Sequence, residues 1–171
     1  MIRDIKITLS VDCMGGDNSI DDIVGGVKQF CSENINDTLL LHGDKKDLAG
    51  ALNKYPEIKK MCKIKHCDKV IQMGDKPSQS IRGGKNSSMW NSIESVKSCK
   101  AEVAISCGNT GSLMAISTLL LRKLPEVKRP AIAIFWPSTS DQGFNVVLDA
   151  GADIKAQAPD LLAYSLSLIH I

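Results

Sequence analysis

Three segments of this 171-residue chain gather the residue types that handle anions. The first is Asp12-Cys13-Met14-Gly15-Gly16-Asp17 and the second is Ser106-Cys107-Gly108-Asn109-Thr110-Gly111. Glycines such as Gly15, Gly16, Gly108 and Gly111 let a backbone turn sharply and come close to a ligand. The amides of a helix that starts at such a turn point toward a bound anion. Asn109 and Thr110 add side-chain donors at the same place, and Ser106 and Asp12 stand where each turn leaves its strand. The third segment, residues 77–88, sets Arg82 and Lys85 among glycines and hydroxyls. Arg offers a bidentate fork and Lys a point charge, a mixture suited to phosphate.

Each segment also has a plainer reading. A glycine-rich turn can be only a tight connection, and residues 77–88 can be a solvated loop. Two polar, glycine-rich corners in one chain weigh against that reading. Neither matches G-x-G-x-x-G, and Gln79 stands where a phosphate-binding P-loop ending at Gly84-Lys85 needs its first glycine. A nucleotide-hydrolysing site is therefore unsupported. Cys107 sits at the second corner without a histidine near it in sequence, and is expected to act as a small apolar residue rather than a nucleophile. Asp12 and Asp17 could act as acids or hold a metal, but such residues more often brace a turn or cap a helix. His42 and His66 are isolated, and no metal site is expected. The lysines at 54, 59, 60, 63, 65 and 69 read as a solvated face and only secondarily as a docking patch.

The elements that must position these residues follow from hydrophobic spacing. Ile5, Ile7, Leu9 and Val11 alternate with polar residues, which predicts a strand over 5–11 running into the first corner. Asn18 or Ser19 can cap a helix whose apolar face carries Ile20, Ile23, Val24, Val27, Phe30 and Cys31. Residues 38–41 read as a strand, followed by a helix with Leu48 and Leu52 that ends near Pro56. Residues 62–66 read as a strand and 74–88 as a loop. Ser87 or Ser88 can cap a helix carrying Met89, Ile93 and Val96. Residues 101–106 form a strand into the second corner, and 112–124 a helix. Strands at 131–136 and 145–148 and a helix at 158–168 complete the pattern. Strands alternating with helices predict an α/β fold, a partly parallel sheet with helices on both faces in three layers.

Composition narrows the function classes. The chain is 43% hydrophobic and 23% charged with a net charge of +2, an ordinary globular balance. Two Trp, two Tyr and three Phe are too few for a single-strand stacking surface, and no nucleic-acid partner is expected. Six cysteines form no C-x-x-C pair or other zinc spacing, and reduced cytosolic thiols are the expectation. Arg3, Asp4 and Lys6 interrupt any signal-peptide pattern, and no run approaches the roughly 20 apolar residues of a membrane span.

Taken together, the sequence resembles the PlsX family of phosphate acyltransferases. The matching residues are Val11-Asp12-Cys13-Met14-Gly15-Gly16-Asp17, Met73-Gly74-Asp75-Lys76-Pro77, Arg82, and Lys85-Asn86-Ser87-Ser88-Met89. The run from Ser106 to Ala115 follows, then Arg129-Pro130-Ala131-Ile132-Ala133 and Leu148-Asp149-Ala150-Gly151-Ala152-Asp153. The family order holds from residue 5 to about 165. Two positions depart from its pattern: Ile20 replaces a usual proline, and Cys107 replaces a frequent alanine, which counts against a nucleophilic thiol. Beyond Leu166 the pattern stops. Residues 1–166 are therefore expected to be the N-terminal part of one acyltransferase domain, and 167–171 a non-native tail.

The resemblance implies a fold akin to phosphotransacetylase and isocitrate dehydrogenase. It further implies a homodimer, a chain roughly twice as long, a cytoplasmic enzyme with peripheral membrane contact, and no cofactor. The implied reaction moves a fatty acyl group from acyl carrier protein to inorganic phosphate. The product would serve a downstream glycerol-3-phosphate acyltransferase in phospholipid synthesis. Phosphate is already an anionic nucleophile, so the demands are positioning and oxyanion stabilisation. Arg82 and Lys85 are the candidates for holding phosphate, and Asn109, Thr110 and Gly111 for the reacting centre. Asp12, Gly15, Gly16, Asp17, Ser106 and Gly108 would shape the pocket. A coenzyme A-dependent phosphotransacylase of the same fold and a non-catalytic anion- or nucleotide-binding module stand as alternatives.

Overall fold

The computed structural model describes residues 6–34, 36–123, 131–148 and 157–170. It divides into two compact units, residues 1–121 and 122–171.

The first unit is built on four parallel strands in the order β3-β2-β1-β4. They are β1 (Thr8–Asp12), β2 (Thr38–Gly43), β3 (Cys62–His66) and β4 (Val103–Ser106). Alternation sends Val11, Leu39 and Leu41 to one face, where they pack with Val24, Val27 and Cys31 of α1 (Ile20–Glu33) and Leu48 and Leu52 of α2 (Lys45–Leu52). On the other face α4 (Ser88–Lys97) crosses β1, β2 and β4. Its Met89, Trp90 and Ile93 form a second cluster with Ile116 and Leu120 of α5 (Thr110–Leu121) and Ile71. Helices thus cover both faces of a parallel sheet, as the sequence pattern predicts.

Local signals account for the helix starts. Ser19, rather than Asn18, caps α1 in a reciprocal box with Asp22. The Ser19 hydrogen bonds hold the Asp22 carboxyl below its ordinary range. Asp44 accepts from the Lys46 and Asp47 amides at the start of α2, which lowers its pKa likewise. Ser87 caps α4.

Residues 74–88 differ from the loop expected. They contain the short helix α3 (Pro77–Gly83), with proline at its first position, where the missing amide costs nothing. Gly84 ends it, and no side chain fits there because a Cβ would run into the Ser80 carbonyl.

In the second unit β5 (Ala133–Pro137) and β6 (Phe144–Leu148) form an antiparallel hairpin of their own. Phe135 and Phe144 meet edge to face with ring centroids 4.7 Å apart, and Gly143 turns the chain at φ 77°. The final helix, α6, spans Ala158–His170. Arg129-Pro130 and Asp149 to Asp153, which carry part of the family resemblance, lie outside the described residues.

Candidate active site

Both glycine corners leave the carboxyl ends of neighbouring parallel strands, where α/β sheets bind ligands. Asp12 and Ser106 are register partners at the ends of β1 and β4. Because a parallel pair aligns its side chains, the Ser106 hydroxyl reaches Asp12 and donates to Oδ2 at 2.7 Å. The same hydroxyl oxygen accepts from the Gly108 amide at 3.1 Å, and Asp12 Oδ1 accepts from the Met14 amide at 3.2 Å. Asp12 is 2% exposed, and no cation pairs with it among the described residues. The carboxylate thus fastens the first corner to the second.

The corners also touch through their glycines. A Cβ on Gly108 would lie 3.0 Å from the Gly15 carbonyl and 2.9 Å from Met89 Cε. One on Gly15 would lie 2.9 Å from Asp12 Oδ2, and one on Gly16 2.9 Å from the Cys107 carbonyl. These glycines exist for close approach of two backbones rather than for unusual dihedrals. Cys13 is fully buried beneath the first corner, and burial, then the Asp12 charge, pushes its thiol far above the ordinary range. Asp17 is exposed beyond it, with no partner among the described residues.

Asn109 sits just before α5. Its Oδ1 accepts from the Ser112 amide at 2.9 Å, a helix cap. Its Nδ2 donates to the Met73 carbonyl at 2.6 Å and the Asp75 carbonyl at 3.0 Å. Both amide hydrogens are thereby committed to the 72–75 turn, which Asp75 closes by accepting from the Gln72 amide. Sequence reading expected a side chain free to donate to substrate; the structure instead places a brace here. The Thr110 and Gly111 amides, by contrast, meet no acceptor among the described residues. They are the donors this helix end presents.

Helix α3 leans on the same end of α5. The Ser80 and Ser112 hydroxyls, both buried, lie 2.7 Å apart, and a Gly111 Cβ would lie 3.0 Å from Pro77 Cγ. Arg82 is in the last turn of α3 and Lys85 in the turn that follows, where Asn86 takes φ 68°. Both cations are exposed, and no hydrogen bond or ion pair engages either among the described residues. The structure thus brings Asp12, Gly15, Gly16, Ser106, Gly108, Asn109 and Gly111 into one contact network. Arg82 and Lys85 enter it only through the packing of α3.

Sequence reasoning missed the Met73 and Asp75 carbonyls and the Ser80–Ser112 contact, the last of which depends on α3. Proline after Asp75-Lys76 was the available signal for that helix. Cys107 is exposed, and its thiol makes no hydrogen bond among the described residues. No group of three or more His, Cys, Asp or Glu fit to hold a metal occurs among them either. No described helix is long and apolar enough to cross a membrane.

Comparison with known proteins gives a consistent picture. The family model described as "Fatty acid synthesis protein" matches residues 7–169. A phosphate acyltransferase of Cereibacter sphaeroides is 50% identical over 161 residues, 94% of this chain and 44% of the relative. The phosphate acyltransferase of Roseobacter denitrificans is 46% identical over 164 residues, 96% of this chain and 46% of that protein. That of Paracoccus denitrificans is 47% identical over 160 residues. The chain spans less than half the length of these relatives.

Proposed function

The chain belongs to the fatty acid synthesis protein family of PlsX-type phosphate acyltransferases, and on that footing we propose that its parent enzyme transfers a fatty acyl group from acyl carrier protein to inorganic phosphate. The observation that carries this reading is the joined pair of corners. Asp12 and Ser106 bind two turns at the carboxyl edge of a parallel sheet, beside two unpartnered helix-end amides.

In this scheme Arg82 and Lys85, exposed and engaged by no hydrogen bond or ion pair among the described residues, hold phosphate. A phosphate oxygen attacks the thioester carbonyl. The Thr110 and Gly111 amides stabilise the oxyanion that develops. The C–S bond breaks as the C–O–P linkage is completed, and the phosphate proton passes to the departing thiolate. Acyl-phosphate and the free carrier thiol are the products. Asn109 acts as a positioning residue, fixing the 72–75 turn against the start of α5. Asp12, Gly15, Gly16, Asp17, Ser106 and Gly108 shape the pocket. No residue needs to become a covalent nucleophile, and Cys107 takes no part.

The same reading places the parent in the cytoplasm with peripheral membrane contact, as a homodimer without cofactor. Its fold is akin to phosphotransacetylase and isocitrate dehydrogenase, with both units in one acyltransferase domain, and its product feeds a glycerol-3-phosphate acyltransferase. The test is acyl-phosphate formation by the full-length enzyme, with and without phosphate, from acyl carrier protein and from coenzyme A thioesters. Thioester consumption that ignores phosphate overturns the assignment. A preference for coenzyme A shifts it to a phosphotransacylase, and phosphate binding without transfer shifts it to a binding module.

A further inference from the structure

An apolar groove of about 320 Å³ runs between α1 and the sheet. Val11 and Ile105 form its floor, and Ile23, Gly26 and Phe30 its helical wall. Polar residues gather at one end, where Asp12 and Cys107 reach the two glycine corners. The Asp22 carboxylate near that end is engaged by Ser19 in the capping box. Ile23 to Phe30 covers two helical turns, so the trough is about 10 Å long. Its volume lies in the range of small-molecule sites.

Gly26 is the helical position at which the groove can be probed. It stands mid-helix, where glycine costs about 1 kcal/mol relative to alanine. A Cβ there would meet nothing within 4 Å, so no packed neighbour requires the small residue. Gly26 is exposed where it lines the groove, so a larger side chain can be introduced there without displacing a neighbour. An occupant that matches this shape is linear and apolar, with a polar or reactive head at one end only.

We infer that this groove receives the acyl chain, with its thioester end leaving the groove at the two glycine corners and the tail running along α1 toward Phe30. The inference rests on the acyltransferase reading and adds to it the seat of the tail. Gly16 packs directly on the Cys107 backbone, so the mouth of the groove and the glycine corners are one continuous surface.

The test uses the full-length enzyme and thioesters of graded chain length. Gly26→Leu places a side chain in the trough. It should lower the ratio of kcat/KM for a long-chain over a short-chain substrate by about tenfold or more. Phe30→Ala lengthens the trough and should move the preference toward longer chains. Ratios unchanged in both variants overturn the inference. A uniform loss at every chain length with a lowered Tm also overturns it, because it would mean that a protein segment fills the groove. If the wild-type enzyme forms no acyl-phosphate from any thioester, the acyltransferase reading itself falls; wild-type activity with unshifted ratios sinks the groove assignment alone.

Discussion

The Ser106 hydroxyl donates to the Asp12 carboxylate at 2.7 Å across two strands whose residues lie 94 positions apart in the chain. Removing the hydroxyl leaves a buried carboxylate oxygen and the Gly108 amide without their partner. Ser106→Ala should therefore cost about 1–3 kcal/mol. Urea denaturation of the two proteins checks this, and an unchanged midpoint would show that the contact contributes nothing to holding the corners. Turnover should fall in the same variant, since both corners lose their common tie.

Asn109 should be sensitive in a way that separates bracing from direct chemistry. In the full-length enzyme Asn109→Ala should lower kcat by about 10²-fold, comparable to losing an oxyanion donor, because the Thr110 and Gly111 amides lose their support. Asn109→Asp keeps the acceptor for the Ser112 amide but loses the donors to Met73 and Asp75. It should retain the helix cap yet lose turnover and some stability, because a carboxylate oxygen then faces the two carbonyls. Full activity in the aspartate variant would remove the 72–75 turn from the argument.

Arg82 and Cys107 should behave oppositely. Arg82→Ala should mainly raise the phosphate KM, since an exposed cation without a protein partner has little structural work to lose. Cys107→Ala should leave kcat and KM nearly unchanged. Abolished turnover in a folded Cys107→Ala protein would restore the nucleophilic thiol that the corner otherwise lacks reason to contain.

His42 predicts an acid limb of stability. Its Nε2 lies 2.9 Å from the Ser10 hydroxyl and 3.3 Å from that of Ser95, while Nδ1 is buried without a partner among the described residues. Burial, with a smaller contribution from Lys65, pushes its pKa down from 6.5 to about 4. The unfolded chain therefore binds a proton that the folded chain refuses across this window. Stability is intact above pH 6.5, declines as pH falls, and has lost this contribution below about 4, a total of about 3 kcal/mol. Denaturation midpoints of the chain and of His42→Gln, followed from pH 7 to 4, should diverge at neutral pH and converge in acid. A parallel pH dependence in both would assign the limb to other groups.

Much of this arrangement was legible in the sequence, and the reasons differ by residue. β1 and α1 announce themselves because Leu9 and Val11 alternate, Ile20, Val24 and Val27 recur at helical spacing, and Ser19 and Asp22 form a local box. The two corners were visible as glycine clusters. Their union was not, because the pairing of Asp12 with Ser106 is set by strand order, a long-range property that local pattern does not encode. Asn109 was visible as a polar side chain at the second corner, but the carbonyls it donates to were not, since they lie more than thirty residues away in the chain. Helix α3 was hidden because its seven residues bury only Ser80 and so carry little hydrophobic periodicity.

The strand order has a consequence for how the chain is made. β1 sits between β2 and β4, so one side of it is satisfied soon after residue 43 is available, while the other waits for residue 106. At ribosomal rates of about 5–20 residues per second, that interval is several seconds. During it the exposed edge of β1 is open to wrong pairing by neighbouring nascent chains. Synthesis therefore leaves the junction of the two corners among the last parts of the sheet to close, and a slow stretch of translation between codons 43 and 106 would lengthen the period in which a chaperone has to guard it.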